Sequence, residues 1–421
     1  MILKYVSACK PEFILKLTVG LRKDTAIKEP EHRASFKTLL PLFVLAHFAH
    51  HLLTALLTPL LPFIRDEFSL NYTQSTLIVS SYSISTGVSQ IPAGWLADRI
   101  GPHILINVGI CGVALTGVLL GLSPTYTMLL VFLVLMGVAA GGYHPAAAPL
   151  VSKTLEPERR GRALGLHMIG GSGSFFVAPV IAAAIASALG WRAPFIILAI
   201  PTMAFGIVLY IILRRRKEIS EVRPVVTGQQ VGASTVIIRW RRLVAFIILS
   251  VFTSAICFSI TSILPLYLVD YCHVSEGTAA SFIALYYSAG LWAGPLGGYL
   301  SDRLGKIPLI VVICLISGYL VYLLKVVPFG VGLGALFVGM GMTGFMRIPV
   351  SESYIFGQVP EKRRSTVFGI FYFAMQESGA VLAPVVGLLI DKFGFNSTFI
   401  IASVTIIVVT LICSILLWGK D

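Results

Sequence analysis

An all-α membrane protein of twelve transmembrane helices, arranged as two parallel six-helix repeats, is predicted by three observations. Of the 421 residues, 56% are hydrophobic and 12% charged, with a mean hydropathy of +0.88, far too apolar for a soluble chain of this length. The apolar residues fall into twelve runs, each near the ~20 residues needed to cross ~30 Å of hydrocarbon. A short polar signature, Gly94-Trp-Leu-Ala-Asp98-Arg99-Ile-Gly101, recurs 204 residues later as Gly298-Tyr-Leu-Ser-Asp302-Arg303-Leu-Gly305.

The predicted spans are 38–64, 75–97, 103–122, 126–150, 163–187, 193–213, 243–268, 278–299, 306–326, 329–353, 366–390 and 396–418, numbered 1 to 12 in chain order. They divide the chain into a tail (1–37), a first half (38–213), a basic linker containing Pro and Gly (214–242) and a second half (243–421). The tail is mixed in charge and lacks the small-residue cleavage pattern of a secretory signal, so it reads as cytoplasmic. Spans 5 and 11 hold the most Gly, Ser and Pro. Such segments are expected to face protein neighbours, because lipid cannot satisfy a broken backbone.

Orientation follows from the basic residues. Of the 32 Lys and Arg, only Arg65, Arg192, Arg347, Lys325 and Lys392 fall away from one set of connections and the termini. By the positive-inside rule that set is cytoplasmic, as are both termini, and the expected location is the cytoplasmic membrane. The net charge of +13 is spread over these short connections instead of one patch, which argues against nucleic acid as a partner. The repeat extends beyond the signature. Pro62 matches Pro265, Pro145 matches Pro349, Gly165 matches Gly369, and Ala178-Pro179 matches Ala383-Pro384, at offsets of 203 to 205. An offset of six spans keeps both halves the same way up, so a binding site is expected between them near mid-membrane.

Each signature inserts Asp and Arg, costly in hydrocarbon, between apolar spans, so each is a tight turn at the membrane surface. Gly101 and Gly305 supply backbone freedom for the turn, and Gly94 and Gly298 permit close helix approach. This pair resembles the loop signature of the major facilitator superfamily of transporters, and the resemblance covers nearly everything after residue 37. Pro102 and His103 stand where the family's last basic pair would be, and the second copy keeps Lys306. His47-Phe48 and Gly142-Tyr143-His144-Pro145 resemble the fosmidomycin-resistance type of drug efflux protein, with His51 where that type carries an acid. The resemblance implies that spans 1, 4, 7 and 10 line a central cavity holding His47, His51, Tyr143, His144 and Arg347. It also implies that Gly94, Asp98, Arg99, Gly101, Gly298, Asp302, Arg303 and Gly305 gate the two halves. Span 5 carries Ser174-x-x-x-Ala178-Pro179, a degraded antiporter motif, and Leu133 replaces the Arg of many drug antiporters.

Ionisable groups inside the hydrocarbon each cost roughly 2.5–3.5 kcal/mol or more unless they face a cavity or a partner. They are His47, His50 and His51 in span 1, His144 in span 4, His167 in span 5, Arg347 and Glu352 in span 10, and Glu377 in span 11. His47 and His51, four apart, share a helix face and repel when both are charged, so the pair holds about one proton and is a candidate for proton coupling. His50 points elsewhere and reads as structural. Glu377 lies near the bilayer midplane, where a carboxyl is suited to taking up and releasing protons. Arg347 must meet an anion, a carbonyl or a water-filled cavity. With Tyr143 and His144 it would make a site attractive to phosphonate, phosphate or carboxylate, whereas a pairing with Glu352 would be purely structural.

No phosphate loop, no local metal-binding spacing and no nucleophile with an oriented base appears, and the six cysteines show no paired spacing. No cofactor, metal or enzymatic activity is therefore expected. The predicted function is secondary active transport by alternating access, as proton-coupled efflux of a small drug-like or anionic compound by a monomer whose partners are substrate, protons and the bilayer. Proton-coupled uptake of an organic acid, and a transport-inactive membrane sensor, are the alternatives.

Overall fold

A computed structural model describes residues 32–153, 160–215, 240–359 and 361–418. The proposed tail, up to residue 31, and the core of the linker, 216–239, lie outside the described residues. Among the described residues all regular structure is helical. Among these residues eight helices are each long and apolar enough to cross a bilayer, one of them carrying spans 11 and 12 together, and a bent pair over Leu39–Phe68 makes a ninth. The other predicted spans are present in less regular form. Span 2 is the single helix Tyr72–Ile100, diluted by Ser, Thr and Gln. Span 8 is Glu276–Ser288 and Ala293–Leu304 joined by a 3-10 turn, and spans 11 and 12 run together as Glu361–Trp418 through Gly394, whose φ is 75°.

Three spans predicted as continuous are broken, each just before a proline. Span 1 bends by 43° around Leu53, span 4 is interrupted at Gly141-Gly142, and span 8 at Ala289–Leu291. A proline ring clashes with the carbonyl four residues earlier. For Pro59, Pro145 and Pro295 those carbonyls belong to Ala55, Gly141 and Leu291, the sites of the breaks. Pro92, Pro201 and Pro265 are absorbed within continuous helices.

Helix starts follow their caps. Thr125 begins span 4 and Ser275 begins span 8, each accepting from a backbone N–H of the first turn. Asn71 begins span 2 in a reciprocal capping box with Gln74. At the Asp-Arg turns, Gly101 and Gly305 take φ of 97° and 83°, left-handed values that other residues disfavour. The close approach expected at Gly298 is not found there, since an added Cβ would meet nothing within 4 Å. It falls on the neighbouring Gly297, which abuts the backbone of Met346.

The two halves meet along matched pairs of helices. Span 2 runs along span 11, span 5 along span 8, and the second part of span 1 along span 7. The Gly- and Ser-rich spans 5 and 11 thus contact protein on several sides, span 5 also lying on span 1 and span 11 on span 7. The apolar core is continuous across both halves at the end remote from the Asp-Arg turns, joining Leu60 and Ile64 to Ile263, Leu266 and Phe399. Nearer the Asp-Arg turns each half keeps its own cluster, around Ile106 and Leu213 in one and Phe246 and Leu309 in the other. The molecule is therefore closed at the remote end.

Polar ties reinforce that closure. Arg65 of the first half donates to both carboxylate oxygens of Asp270 of the second, at 2.5 and 2.7 Å, and Tyr72 Oη donates to the same carboxylate at 2.8 Å. Asp391, at the end of span 11, accepts the backbone N–H of Tyr72 (2.9 Å) and Thr73 (3.0 Å). The first N–H groups of span 2 have no intrahelical acceptor, so the opposite half completes this helix. Asp391→Ala should destabilise the fold by about 0.5–2 kcal/mol, as loss of a helix cap does. The measurement is the midpoint of thermal unfolding in detergent, and an unchanged midpoint would show that the contact contributes nothing.

Candidate functional site

The break in span 4 sets Tyr143 and His144 at the start of helix Tyr143–Lys153, facing span 1. Five histidine rings gather there. The His47 ring centroid lies 4.9 Å from His51, 5.2 Å from His144 and 4.3 Å from His167, and His51 lies 4.7 Å from His50 and 5.2 Å from His144. Three rings are anchored at Nδ1 by backbone carbonyls: His47 by His167 at 2.9 Å, His50 by Gly109 at 2.9 Å, and His167 by Phe43 at 3.0 Å. A ring nitrogen facing a carbonyl carries the proton, which leaves Nε2 as the acceptor in the neutral form. His47 is 1% exposed and its Nε2 has no hydrogen-bond partner, whereas His51 and His144 are half-buried.

The structure brings His47, His51 and His144 together as expected and adds His167, for which the sequence suggested no role. His167 lies 120 residues from His47, and only the packing of span 5 on span 1 makes them neighbours. His50 is tied to span 3 and stacks on Tyr143 at 4.2 Å, in keeping with a structural part. Tyr143 has no exposed surface and stacks between His50 and His47, so it backs the ring cluster from behind.

Aromatic rings lead from this cluster into the second half. Phe175 of span 5 lies 5.1 Å from His51 and 5.1 Å from Tyr287 of span 8, which in turn lies 5.1 Å from Tyr286. Arg347 of span 10 is 4% exposed, and it donates to the soft acceptor Cys257 Sγ at 3.9 Å. Its Nε has no partner, and among the described residues no carboxylate, Glu352 included, lies within ion-pair distance. Among the described residues nothing balances the guanidinium charge.

Glu377 is elsewhere, at the seam between halves. Its carboxyl lies against Gly87 of span 2, where any Cβ would overlap it, and one carboxylate oxygen is buried without a partner. The residues expected to gate, Asp98, Arg99, Asp302 and Arg303, are exposed. Each Arg lies over an aromatic ring one turn back on its own helix, Arg99 over Trp95 at 4.0 Å and Arg303 over Tyr299 at 4.7 Å. Asp98 and Arg99 border a cleft shared with Pro145 and Pro149 of span 4. Among the described residues no ion pair joins these four to the opposite half, in keeping with separate cores at this end.

A sequence model of the Major Facilitator Superfamily matches residues 43–384 and 246–421. The multidrug resistance protein MdtG of Proteus mirabilis is 25% identical over 359 residues, which cover 82% of this chain and 87% of that protein. The chain also matches parts of two relatives named as transporters of organic anions. It is 29% identical to the probable sulfoacetate transporter SauU of Cupriavidus necator, over 58% of this chain and 60% of that one. It is 26% identical to the probable L-galactonate transporter of Escherichia coli, over 37% and 34% respectively. Among solved structures, a bacterial homolog of the human lysosomal transporter Spinster superposes with a TM-score of 0.74 at 16% identity, over 92% of this chain and 97% of that chain, a likeness of fold alone.

The contact at the seam makes a direct prediction. Gly87→Ala should cost about 1–3 kcal/mol by overpacking against the carboxyl. Adding Glu377→Ala should recover most of that loss, a coupling measured by a double-mutant cycle of melting midpoints. Additive losses would mean the two residues are independent.

Proposed function

Because the chain belongs to the Major Facilitator Superfamily, we propose that it works as a secondary active transporter by alternating access, exporting a small anionic or drug-like compound in exchange for protons. The observation that carries the anionic preference is the buried Arg347, which has no carboxylate within ion-pair distance among the described residues. An unpaired guanidinium at that depth is costly, and an incoming carboxylate, phosphonate or sulfonate supplies the missing charge in bidentate form. The imidazole cluster and the aromatic rings of Phe175, Tyr286 and Tyr287 would form the rest of the wall.

Coupling is assigned first to Glu377. Its carboxyl lies where spans 2 and 11 must slide past each other when the remote end opens. Charging it there without a partner opposes the packed seam, and neutralising it relaxes that opposition, so protonation biases the equilibrium between the two open states. Asp98 and Asp302, which make no ion pair to the opposite half among the described residues, would engage it when the Asp-Arg end closes. By the positive-inside rule that end faces the cytoplasm.

A second reading, proton-coupled uptake of an organic acid, is favoured by the relatives named for sulfoacetate and galactonate transport. The two differ in sign. Uptake of labelled phosphonates and organic acids into proteoliposomes is expected to follow an imposed pH gradient in the antiport sense, and flux in the symport sense would select the second reading. Glu377→Gln should remove the dependence on the gradient. Arg347→Glu should lower anion flux at least 100-fold, and unchanged flux would remove Arg347 from the site.

A further inference from the structure

We propose that His47, His51 and His144 form a binding site for a divalent transition-metal ion of the zinc class. Their candidate ligand nitrogens all lie within 4.8 Å of one another. Two of the three are four residues apart on one helix face, the spacing by which a helix offers two imidazoles to one ion, and the third comes from the broken start of span 4. His47 is the fixed member. Its Nδ1 is held by the His167 carbonyl, which aims Nε2 at the cluster, and that nitrogen is buried with no partner. A ligating histidine characteristically has its other ring nitrogen held in this way. His51 and His144 are half-buried, so they can adjust and an ion can reach them.

Nitrogens bound to zinc at 2.0–2.1 Å stand about 3.3 Å apart in a tetrahedron, so closing the site takes side-chain rotations of roughly 1 Å each. Three neutral imidazoles supply the borderline-soft donors that zinc, nickel, cobalt and copper favour over magnesium or calcium. They also leave a fourth position free. That position suits an oxygen of an anionic compound, the ligand class proposed above for Arg347, so the ion enters alone or already complexed with one. Local sequence spacing does not show the site, because His144 is 93 residues beyond His51 in the chain.

The test uses the full chain, purified in detergent through a tag free of histidine and stripped with chelator. Equilibrium dialysis against zinc ions should give one ion per chain with micromolar or tighter affinity. His51→Ala and His144→Ala should each weaken it at least 100-fold, and His273→Ala, at an exposed position outside the cluster, should leave it unchanged. Cobalt added to the wild-type protein should give the visible absorption of a four-coordinate nitrogen site, a readout that needs no variant to fold. Absence of tight binding, or binding that survives both substitutions, would overturn the proposal. With binding established, zinc accumulation in proteoliposomes identifies the ion as cargo, and binding without accumulation identifies it as a resident ligand for the anion; both agree with the site.

Discussion

The carboxylates of Asp270 and Asp391 hold the two halves together at one end, and most of the observed state depends on them. Asp270 takes both arms of Arg65 and the Tyr72 hydroxyl, and Asp391 supplies acceptors that the first turn of span 2 lacks. Exposed ion pairs contribute little, but the Arg65–Asp270 pair is part-buried, multiply bonded and backed by a shared apolar core. At the other end the core is divided, and the Asp-Arg turns stack on aromatic rings of their own helices instead of reaching across. Opening the closed end breaks these ties, so alternating access requires other contacts to replace them when the Asp-Arg end closes.

Between these ends, the interior polar groups divide into two kinds. The histidines are held mainly by the backbone carbonyls of His167, Gly109 and Phe43 and by stacking, so five rings fit where the same number of charges would not. Arg347 and Glu377 are left short of partners, one within span 10 and one at the seam. A buried group left incomplete costs stability, and such deficits are where a mobile ligand finds its affinity.

Much of this was legible in the sequence. The apolar runs and the duplicated Asp-Arg turn give twelve helices in two parallel repeats, and the i, i+4 spacing of His47 and His51 puts both on one face. Other features were not readable. Pro59, Pro145 and Pro295 break their helices while Pro92, Pro201 and Pro265 do not, because the outcome depends on whether neighbouring helices leave room for a bend. His167 and Gly87 acquire meaning only through the rotation of spans 5 and 2 about their axes, which periodicity in nearly all-apolar helices fixes poorly. Asp270 and Asp391 look like ordinary loop acids until the halves are assembled.

Gly394 bears on how spans 11 and 12 move. They are joined through this one left-handed residue with no intervening loop, and the Phe395 and Phe399 rings just beyond it pack beside Tyr267 of span 7. Two helices joined without a slack loop behave as one hairpin pinned at its bend to span 7. Asp391, next to that bend, is held against span 2 by the same anchorage, so displacing the hairpin and releasing the start of span 2 are one event.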